Sequence, residues 1–360
     1  MAERKARVGV GLVGLGFMGL THLRAWRNVR GGKLIALATS DPRKARGDFS
    51  RVHGNFGSAG ATEDLSGIDI VPSIDDLLAD DRIELIDICL PSHLHADATL
   101  RSLRAGKSVL VEKPIALRPS EGRRMIEAAR RAGKLLLVAQ VLKFMPEFGG
   151  LFQAVEKKRF GELRALHLRR IIAKPDWGDD SWFKDPNLSG GMVVDLHIHD
   201  VDYILHLLGA PASVTSRALI EKDEIQSIRT FYDYGENGPL VSSEAGWINA
   251  PSLPFEHGYD AFFDDATIHF NSSHCPTPRV FKKKGEGKLE LPKGDGFVRE
   301  LEAAVQSVRE GKAHPFLSPE GALLALEVCE KEARSAKSRG TARITPGGSP
   351  KPNAEKATTP

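Results

Sequence analysis

Residues 8–26 read VGVGLVGLGFMGLTHLRAW, and residues 14–19 within them have the glycine spacing G-x-G-x-x-G. An apolar segment precedes the glycines and a helical pattern follows them, so the stretch predicts a strand, a tight turn and a helix. In such a unit Gly14 allows the turn, Gly16 lets a pyrophosphate approach the backbone, and Gly19 lets the helix pack closely against the strand. We therefore expect the start of this helix to bind the phosphates of a dinucleotide.

The chain continues to alternate apolar strands with helices as far as residue 141. Further strands are predicted at Lys33–Thr39, Ile83–Leu90, Lys107–Val111 and Leu135–Val141. The segment Ile83–Leu90 is almost continuously apolar, as is typical of a strand that helices cover on both faces. The pattern predicts a doubly wound parallel sheet, so the fold class is α/β, with a dinucleotide-binding Rossmann domain over residues 1–142.

A different order of elements follows. Short strands joined by hairpin-like turns are predicted at Leu163–Ile172, Val214–Ile220, Ser227–Tyr234, Val241–Trp247, Ala266–Phe270, Arg279–Lys282 and Lys288–Leu291. One helix is predicted between them at Gly191–Leu208, and two follow at Phe297–Gly311 and Ser318–Arg339. This order predicts an α+β domain over residues 143–344, with a mostly antiparallel sheet and helices on one face. Residues 345–360, rich in Pro, Lys and Thr, are predicted to be a disordered tail.

The overall charge and the cysteine content limit the classes of function. The formal net charge is only +3 and the basic residues are scattered, which argues against nucleic acid or an anionic membrane as a partner. The cysteines Cys89, Cys275 and Cys329 lack the spacing of a metal site and are typical of reduced thiols in the cytoplasm. No apolar run is long enough to span a bilayer, so we expect a cytoplasmic protein.

The end of the second predicted strand bears on which dinucleotide binds. NAD-binding folds usually carry an acidic residue about 20 residues after the last glycine, where it binds the adenosine ribose. Thr39 and Ser40 occupy that place here, and the next residue, Asp41, resembles the cap of a helix. Because this place lacks a carboxylate that would repel a 2′-phosphate, and Arg43 and Lys44 are near enough to pair with one, the sequence favours NADP over NAD. The alternative is that Arg43 and Lys44 lie on a solvated helix face.

Three stretches together resemble the glucose–fructose oxidoreductase and inositol dehydrogenase family (Gfo/Idh/MocA), over about residues 7–340. They are GLGFMG at 14–19, ICLPSHLHADATLRSLRAGKSVLVEKP at 88–114 and SGGMVVDLHIHDVD at 189–202. The resemblance implies an N-terminal Rossmann domain and a C-terminal domain whose open sheet builds homodimers or homotetramers. It also implies hydride transfer between NAD(P) and a secondary alcohol or ketone on a sugar, cyclitol or related polyol.

The resemblance also assigns site residues position by position. The lysine of the family's Glu-Lys-Pro motif falls on Lys113, and its Asp-x-x-x-His pair falls on Asp195 and His199, so these three are the expected catalytic residues. Lys143 stands where many members carry an arginine and is expected to contact the substrate. The cofactor site is expected to comprise Gly14, Gly16, Phe17, Met18, Gly19, Thr39, Ser40, Arg43, Leu90, Pro91, His95, Glu112 and Lys113.

The chemistry of hydride transfer explains why these residue types suit the reaction. The hydroxyl proton has to leave as the hydride departs, and an ammonium such as that of Lys113 can stabilise the developing alkoxide. Residues four apart on a helix share one face, so Asp195 can orient His199 for general acid–base catalysis or bind a substrate hydroxyl. The alternatives are a solvated lysine and an ordinary pair on a helix surface. Trp177 and Trp182 either stack on the substrate or form a small core.

The motif His197-Ile198-His199 also resembles a metal-binding pair, and His93 and His95 have the same spacing. His93 and His95 follow a strand-ending proline whose backbone is expected to line the cofactor, and the alternative for His95 is that it packs into the next helix. In a helix, residues two apart point about 200° apart, so His197 and His199 would not face one ion. We therefore expect no metal.

Two further functions are compatible with the same fold. One is a glycosidase that works through transient oxidation by tightly held NAD. The other is a non-catalytic protein that senses a sugar or serves as a scaffold.

Overall fold

The structure is a computed structural model that describes residues 7–54, 60–175 and 181–344. The tail predicted to be disordered, residues 345–360, and Trp177 lie outside these ranges. Over the same ranges, none of the helices is both long enough and apolar enough to cross a membrane.

Within these ranges the first sheet consists of six parallel strands. They are β1 (Val8–Val13), β2 (Gly32–Ala38), β3 (Asp69–Val71), β4 (Leu85–Ile88), β5 (Ser108–Glu112) and β6 (Leu136–Ala139). Their order is β3-β2-β1-β4-β5-β6, so the chain starts in the middle of the sheet and winds outward in both directions. This order confirms the predicted doubly wound sheet. It places a crevice at the C-terminal ends of β1 and β4, where the winding reverses.

Helices connect these strands in the described part of this region. They are α1 (Phe17–Trp26), α2 (Ile74–Ala79), α3 (His95–Arg104) and α4 (Pro119–Ala132). A capping box of Ser73 and Asp76 begins α2, and α4 ends at Gly133, whose left-handed backbone favours glycine. Every residue of β4, β5 and β6 is buried, as expected for strands that are covered on both faces.

The second sheet contains nine strands among the described residues. They are β7 (Leu163–Ala173), β8 (Ser213–Glu221), β9 (Glu224–Asp233), β10 (Leu240–Asn249), β11 (Glu256–Phe263), β12 (Ala266–Asn271), β13 (Cys275–Lys282), β14 (Glu286–Lys288) and β15 (Thr341–Arg343). Their order is β14-β13-β12-β11-β7-β10-β9-β8-β15. The central neighbours β7 and β10 run parallel and the other neighbours run antiparallel, which confirms the predicted mostly antiparallel sheet.

The sequence pattern missed β11, β15 and the helix α5 (Pro146–Glu156). In β11, which reads EHGYDAFF, Gly258 and Asp260 interrupt the apolar pattern. The strand still forms a central part of the sheet because Tyr259 and Ala261 on its other face are buried in the core. A Cβ at Gly258 would lie 2.2 Å from the carbonyl oxygen of Phe270 on β12, so close strand pairing explains the glycine.

The remaining helices join the two sheets. They are α6 (Pro186–Ser189), α7 (Ile198–Leu208), α8 (Gly296–Glu310) and α9 (Pro319–Ser338). The helix predicted at Gly191–Leu208 is present, but Val193–His197 form a π-helical turn before α7 begins. Helix α8 packs on α1 and β1, where Leu301 joins the core around Leu12. Because this late helix covers the first sheet, the domain boundary after residue 142 stays a prediction.

Candidate active site

A cleft of about 940 Å³ opens at the C-terminal ends of the first sheet. Its wall combines the glycine turn after β1, the segments that follow β2, β4 and β5, and side chains of the second sheet and the α7 region. The residues predicted for the site that line it are Gly14, Gly16, Phe17, Met18, Thr39, Ser40, Arg43, Leu90, Pro91, Glu112, Lys113, Trp182, Asp195 and His199. The fold therefore brings together residues that are far apart in the sequence.

The glycine turn has the shape of a phosphate cradle. Gly14 has a φ of +91°, and a Cβ there would lie 2.4 Å from the carbonyl carbon of Cys89. A Cβ at Gly19 would lie 2.0 Å from the carbonyl oxygen of Gly14, so Gly19 packs behind the turn and does not line the cleft. A Cβ at Gly16, by contrast, would meet no atom within 4 Å. The open space in front of Gly16, at the start of α1, fits a pyrophosphate group.

Polar and basic side chains line the cleft after β2. Thr39, Ser40 and Arg43 are there, together with Asp41. The Asp41 carboxylate accepts the backbone N–H of Arg43 at 2.8 Å. This hydrogen bond is the largest influence that holds the pKa of Asp41 below its ordinary value. The helix expected after Asp41 is only a short 3-10 turn, at Lys44–Arg46. Lys44, considered with Arg43 as a partner for a 2′-phosphate, also lines this wall. The sequence reasoning missed two further residues of it, Arg51 and His53.

Leu90 and Pro91 line the cleft after β4, but His95 does not. Its side chain is buried, and its ring nitrogens lie 2.7 Å from the carbonyl oxygen of Pro114 and 2.8 Å from that of Leu90. The prediction that His95 contacts the cofactor is therefore corrected. His95 instead holds together the two loops that follow β4 and β5.

Lys113 and Asp195 meet across the cleft. The Lys113 Nζ lies 3.2 Å from the Asp195 Oδ1 and also donates to the backbone carbonyl of Asp195. Both side chains are largely buried, with 14% and 16% of their surfaces exposed. The Lys113 ammonium is therefore held at one place in the cleft and keeps one N–H for a further acceptor.

His199 lies near this pair and also lines the cleft. Burial, and then the positive charges of Lys113 and Arg170, hold the pKa of His199 well below its ordinary value. Its Nδ1 is buried and has no hydrogen-bond partner among the described residues. A neutral imidazole in the cleft wall can take up a proton from a bound hydroxyl.

Buried ion pairs fix the helix that carries these residues. His197 pairs with Glu332 of α9 at 3.1 Å, and Asp200 accepts two hydrogen bonds from Arg170 of β7 at 2.9 and 3.0 Å. Because His197 points to α9 and His199 points to the cleft, the two imidazoles do not face one site, as the helical geometry predicted.

Lys143 lies outside the cleft. Its Nζ forms an ion pair with Asp202 at 2.8 Å, and the two side chains are 4% and 3% exposed. The prediction that Lys143 contacts the substrate is therefore corrected. The buried carboxylate of Asp202 on α7 attracts the lysine into the core. The sequence around residue 143 did not indicate this partner.

Aromatic side chains form the wall opposite the first sheet. Trp182 lines the cleft, with its ring centroid 3.9 Å from that of Phe183 and 6.4 Å from that of His93. Sequence reasoning missed several other residues of this wall, because they come from strands or segments with no recognisable motif: Glu147, Arg170, Phe183, Trp247, Phe255 and His257. Burial, followed by the charge of Arg170, lowers the pKa of His257 to about 3, so this second imidazole is also neutral.

One group of potential metal ligands occurs in the described ranges. The ligand atoms of His22, Asp87 and Cys89 lie within 4.8 Å of one another, all buried. The Asp87 carboxylate, however, already accepts hydrogen bonds from Trp26 at 2.8 Å and from His22 at 2.9 Å. The expectation of no metal stays a prediction.

Comparisons with known proteins agree with this geometry. Residues 8–140 match the model of an oxidoreductase family with an NAD-binding Rossmann fold (GFO_IDH_MocA), and residues 150–258 match the GFO/IDH/MocA C-terminal domain. The inositol 2-dehydrogenase of Rhizobium meliloti (strain 1021) is 27% identical over 295 residues, 81% of each chain. The scyllo-inositol 2-dehydrogenase (NADP(+)) IolW of Bacillus subtilis (strain 168) is 24% identical over 302 residues, 77% of this chain and 84% of that protein.

A solved structure shows the same fold. Levoglucosan dehydrogenase in complex with NADH superposes with a TM-score of 0.80 at 18% identity, over 94% of this chain and 99% of that chain. The family matches extend over both sheets, so the chain belongs to the GFO/IDH/MocA family of oxidoreductases.

Proposed function

We propose that this protein interconverts a secondary alcohol and a ketone on a sugar, cyclitol or related polyol, using NAD(P). Lys113 and Asp195 form an ion pair beside His199, and the open glycine turn forms another part of the same cleft. This observation carries the proposal. The names of the inositol dehydrogenase relatives support this substrate class. In this proposal residues 1–142 bind the cofactor, and residues 143–344 supply substrate and subunit contacts.

The residues of the chain divide the chemistry among them. The bound nicotinamide would accept or return the hydride. Lys113 holds the reacting hydroxyl through its remaining N–H and stabilises negative charge on that oxygen as the hydride leaves. The neutral imidazole of His199 accepts the hydroxyl proton, and Asp195 keeps the Lys113 ammonium in place.

The charges in the cleft favour an uncharged substrate. Lys113 is paired with Asp195, and Arg170 is paired with Asp200, so neither cation is left to bind an acidic sugar. The rings of Trp182 and Trp247 offer apolar faces to the C–H surfaces of a polyol. A neutral sugar or cyclitol matches this balance better than a phosphorylated one.

NADP is the cofactor that we propose. Arg43, Lys44 and Arg51 line the adenosine end against one carboxylate, Asp41, which Arg43 partly neutralises. A 2′-phosphate would find a net positive environment there. Asp41 also lines the cleft, so the preference for NADP depends on the contacts by which Arg43 partly neutralises the Asp41 carboxylate.

A homodimer or homotetramer through the outer face of the second sheet is the assembly that we propose. Successive strand residues point to opposite faces, and register places Phe231, Leu240 and Phe262 on the outer one. These side chains are 58%, 66% and 44% exposed. Large exposed apolar side chains on one sheet face are typical of an interface. We also propose a cytoplasmic location, since the three cysteines are free thiols.

A fluorescence titration with NADPH and NADH, followed by turnover assays on a panel of sugars and cyclitols, tests the proposed function. We expect both reduced cofactors to bind, NADPH more tightly, and at least one polyol to be oxidised. Failure to bind either cofactor would contradict the proposal. Cleavage of glycosides without net cofactor turnover would indicate the glycosidase, and binding without turnover on any substrate would indicate a sensor or scaffold.

A further inference from the structure

A cluster of ionisable side chains is buried behind the cleft wall formed by β4 and β5. It consists of His22 on α1, Asp87 on β4, Glu112 on β5 and Glu300 on α8, which we call the acidic cluster. The His22 Nδ1 lies 2.9 Å from the Asp87 Oδ2, and its Nε2 lies 3.1 Å from the Glu112 Oε1. His22, Asp87 and Glu300 are fully buried, and Glu112 is 5% exposed. One imidazole thus bridges two carboxylates from neighbouring strands.

The surroundings give hydrogen-bond partners to Asp87 and Glu112 and leave Glu300 without one. Asp87 also accepts hydrogen bonds from the Trp26 indole at 2.8 Å and the Cys89 thiol at 3.7 Å. Glu112 accepts the backbone N–H of Lys113 at 3.0 Å. Both carboxyl oxygens of Glu300 are buried without a hydrogen-bond partner among the described residues.

The charges around Glu300 come from each element packed against it. They are Glu112, His22, Asp87 and Lys143. Lys143 comes from the segment after β6 and is itself paired with Asp202. Burial, and then the Glu112 carboxylate, raise the pKa of Glu300 well above its ordinary value. Burial alone would lower the pKa of His22, but Asp87 and Cys89 together outweigh burial and the pKa is raised. The acidic cluster therefore contains a proton on Glu300 that a nearby positive charge could release.

The acidic cluster lies beside the place that the nicotinamide would occupy. The pyrophosphate site is at Gly16, and the adenosine end is at Thr39 after β2, on one side of β1. The other half of a dinucleotide must then extend to the opposite side of β1, to the ends of β4 and β5. Cys89 and Glu112 line the cleft there. An oxidised nicotinamide ring carries a positive charge that the reduced ring lacks, and charges interact strongly in such a buried environment.

We propose that the acidic cluster binds one more proton, on Glu300, when the reduced cofactor occupies the cleft than when the oxidised cofactor does. This inference rests on the proposed function, because it requires cofactor in the cleft. Oxidation of a secondary alcohol moves a hydride to the nicotinamide and releases one proton. The acidic cluster takes up one proton as the ring loses its positive charge, so charge is balanced inside the protein until the reduced cofactor leaves. Protons exchange with the cleft through Glu112, which lines the cleft.

The test measures the dissociation constants of NADP+ and NADPH, with NAD+ and NADH in parallel, between pH 6 and pH 9. In the wild-type protein the ratio Kd(oxidised)/Kd(reduced) should rise as the pH falls, by up to about tenfold per pH unit for one linked proton. The 2′-phosphate titrates alike in both forms and cancels in this ratio. In Glu300→Gln, which keeps the shape of the side chain and does not line the cleft, the slope should largely disappear while both forms still bind.

Glu302→Gln is the matched control, because Glu302 lies on the same helix and pairs with Arg30 outside the acidic cluster. It should keep the wild-type slope. A wild-type ratio that does not change with pH, or an unchanged slope in Glu300→Gln, would overturn the inference while the proposed function stands. Failure of the wild-type protein to bind cofactor would instead contradict the proposed function.

An infrared difference spectrum of the wild-type protein, with NADPH minus NADP+, gives a second measurement that needs no variant to fold. We expect a positive C=O band of a protonated carboxylic acid that shifts in D2O. A spectrum without such a band would overturn the inference.

Discussion

The Nζ of Lys113 and the Oδ1 of Asp195 lie 3.2 Å apart, although 82 residues separate them in the chain. Lys113 follows a strand of the first sheet, and Asp195 lies in the π-helical turn that leads into α7. This ion pair joins the two halves of the cleft at the point where we place the chemistry. The catalytic geometry thus depends on how the two halves of the cleft pack against each other.

Replacement of Lys113 by methionine should lower kcat about 10²- to 10⁴-fold, because the ammonium that stabilises the alkoxide is lost. Cofactor dissociation constants should change less than about threefold, since the glycine turn is untouched. Steady-state kinetics and fluorescence titration measure the two effects. Lys134→Met, at an exposed lysine, is the control and should leave both unchanged. Unaltered turnover in Lys113→Met would remove this residue from the mechanism.

The pH profile of alcohol oxidation should reflect the lowered pKa of His199. Burial and the nearby cations keep the imidazole neutral, so it remains a base at pH values well below 6.5. Activity lost through His199 protonation should therefore appear only as the pH falls through this lowered pKa. His199→Gln should reduce kcat about 10²- to 10⁴-fold and abolish that acid limb. An acid limb centred near 6.5 that persists in the variant would show that another group is the base.

Lys143→Met should destabilise the fold and leave the cleft chemistry intact. Removal of the lysine strands the Asp202 carboxylate in the core, which costs about 3–5 kcal/mol in comparable cases. Urea denaturation measures the loss in free energy of unfolding. The double variant Lys143→Met, Asp202→Asn should recover at least half of it, because no buried charge is left unpaired. A change in KM for the polyol without a loss of stability would instead return Lys143 to the substrate site.

Arg43→Ala should weaken NADPH binding about 10- to 100-fold and NADH binding less than about threefold. The guanidinium would pair with the 2′-phosphate, and its loss also removes the cation that partly neutralises Asp41, while the backbone N–H of residue 43 still donates to that carboxylate. Arg46→Ala is the matched control, since Arg46 lies in the 3-10 turn that follows Arg43 and does not line the cleft. Equal weakening of both cofactors in Arg43→Ala would speak against NADP as the preferred cofactor.

Phe231→Glu should convert the assembly to monomers, because a carboxylate on the outer face of the second sheet could not be buried in an interface. Light scattering coupled to size-exclusion chromatography gives the mass of each variant. Glu310→Gln, on an exposed part of α8, should leave the mass unchanged. A monomeric wild-type protein would contradict the proposed assembly.

Local patterns in the sequence were sufficient for much of the fold. The glycine turn, the apolar runs of β1, β4 and β5, and the alternation of strands with helices express backbone sterics and burial, which act over a few residues. Strand β11 was missed because its burial is decided by distant neighbours, and α5 was missed for want of a motif. Likewise, no local pattern indicated that only a short 3-10 turn, and not a longer helix, follows Asp41.

The sequence by itself determined the two sheets and the glycine turn, since local patterns encode them, and its resemblance to the family supplied the candidates Lys113, Asp195 and His199. Only the tertiary structure decided that Lys143 is paired with Asp202 in the core, that His95 braces two loops, and that Trp247 and His257 reach the cleft. The physical reason is that the partner of a buried charge, and the neighbour of a side chain across a cleft, are set by packing between segments far apart in the chain. No short stretch contains that information.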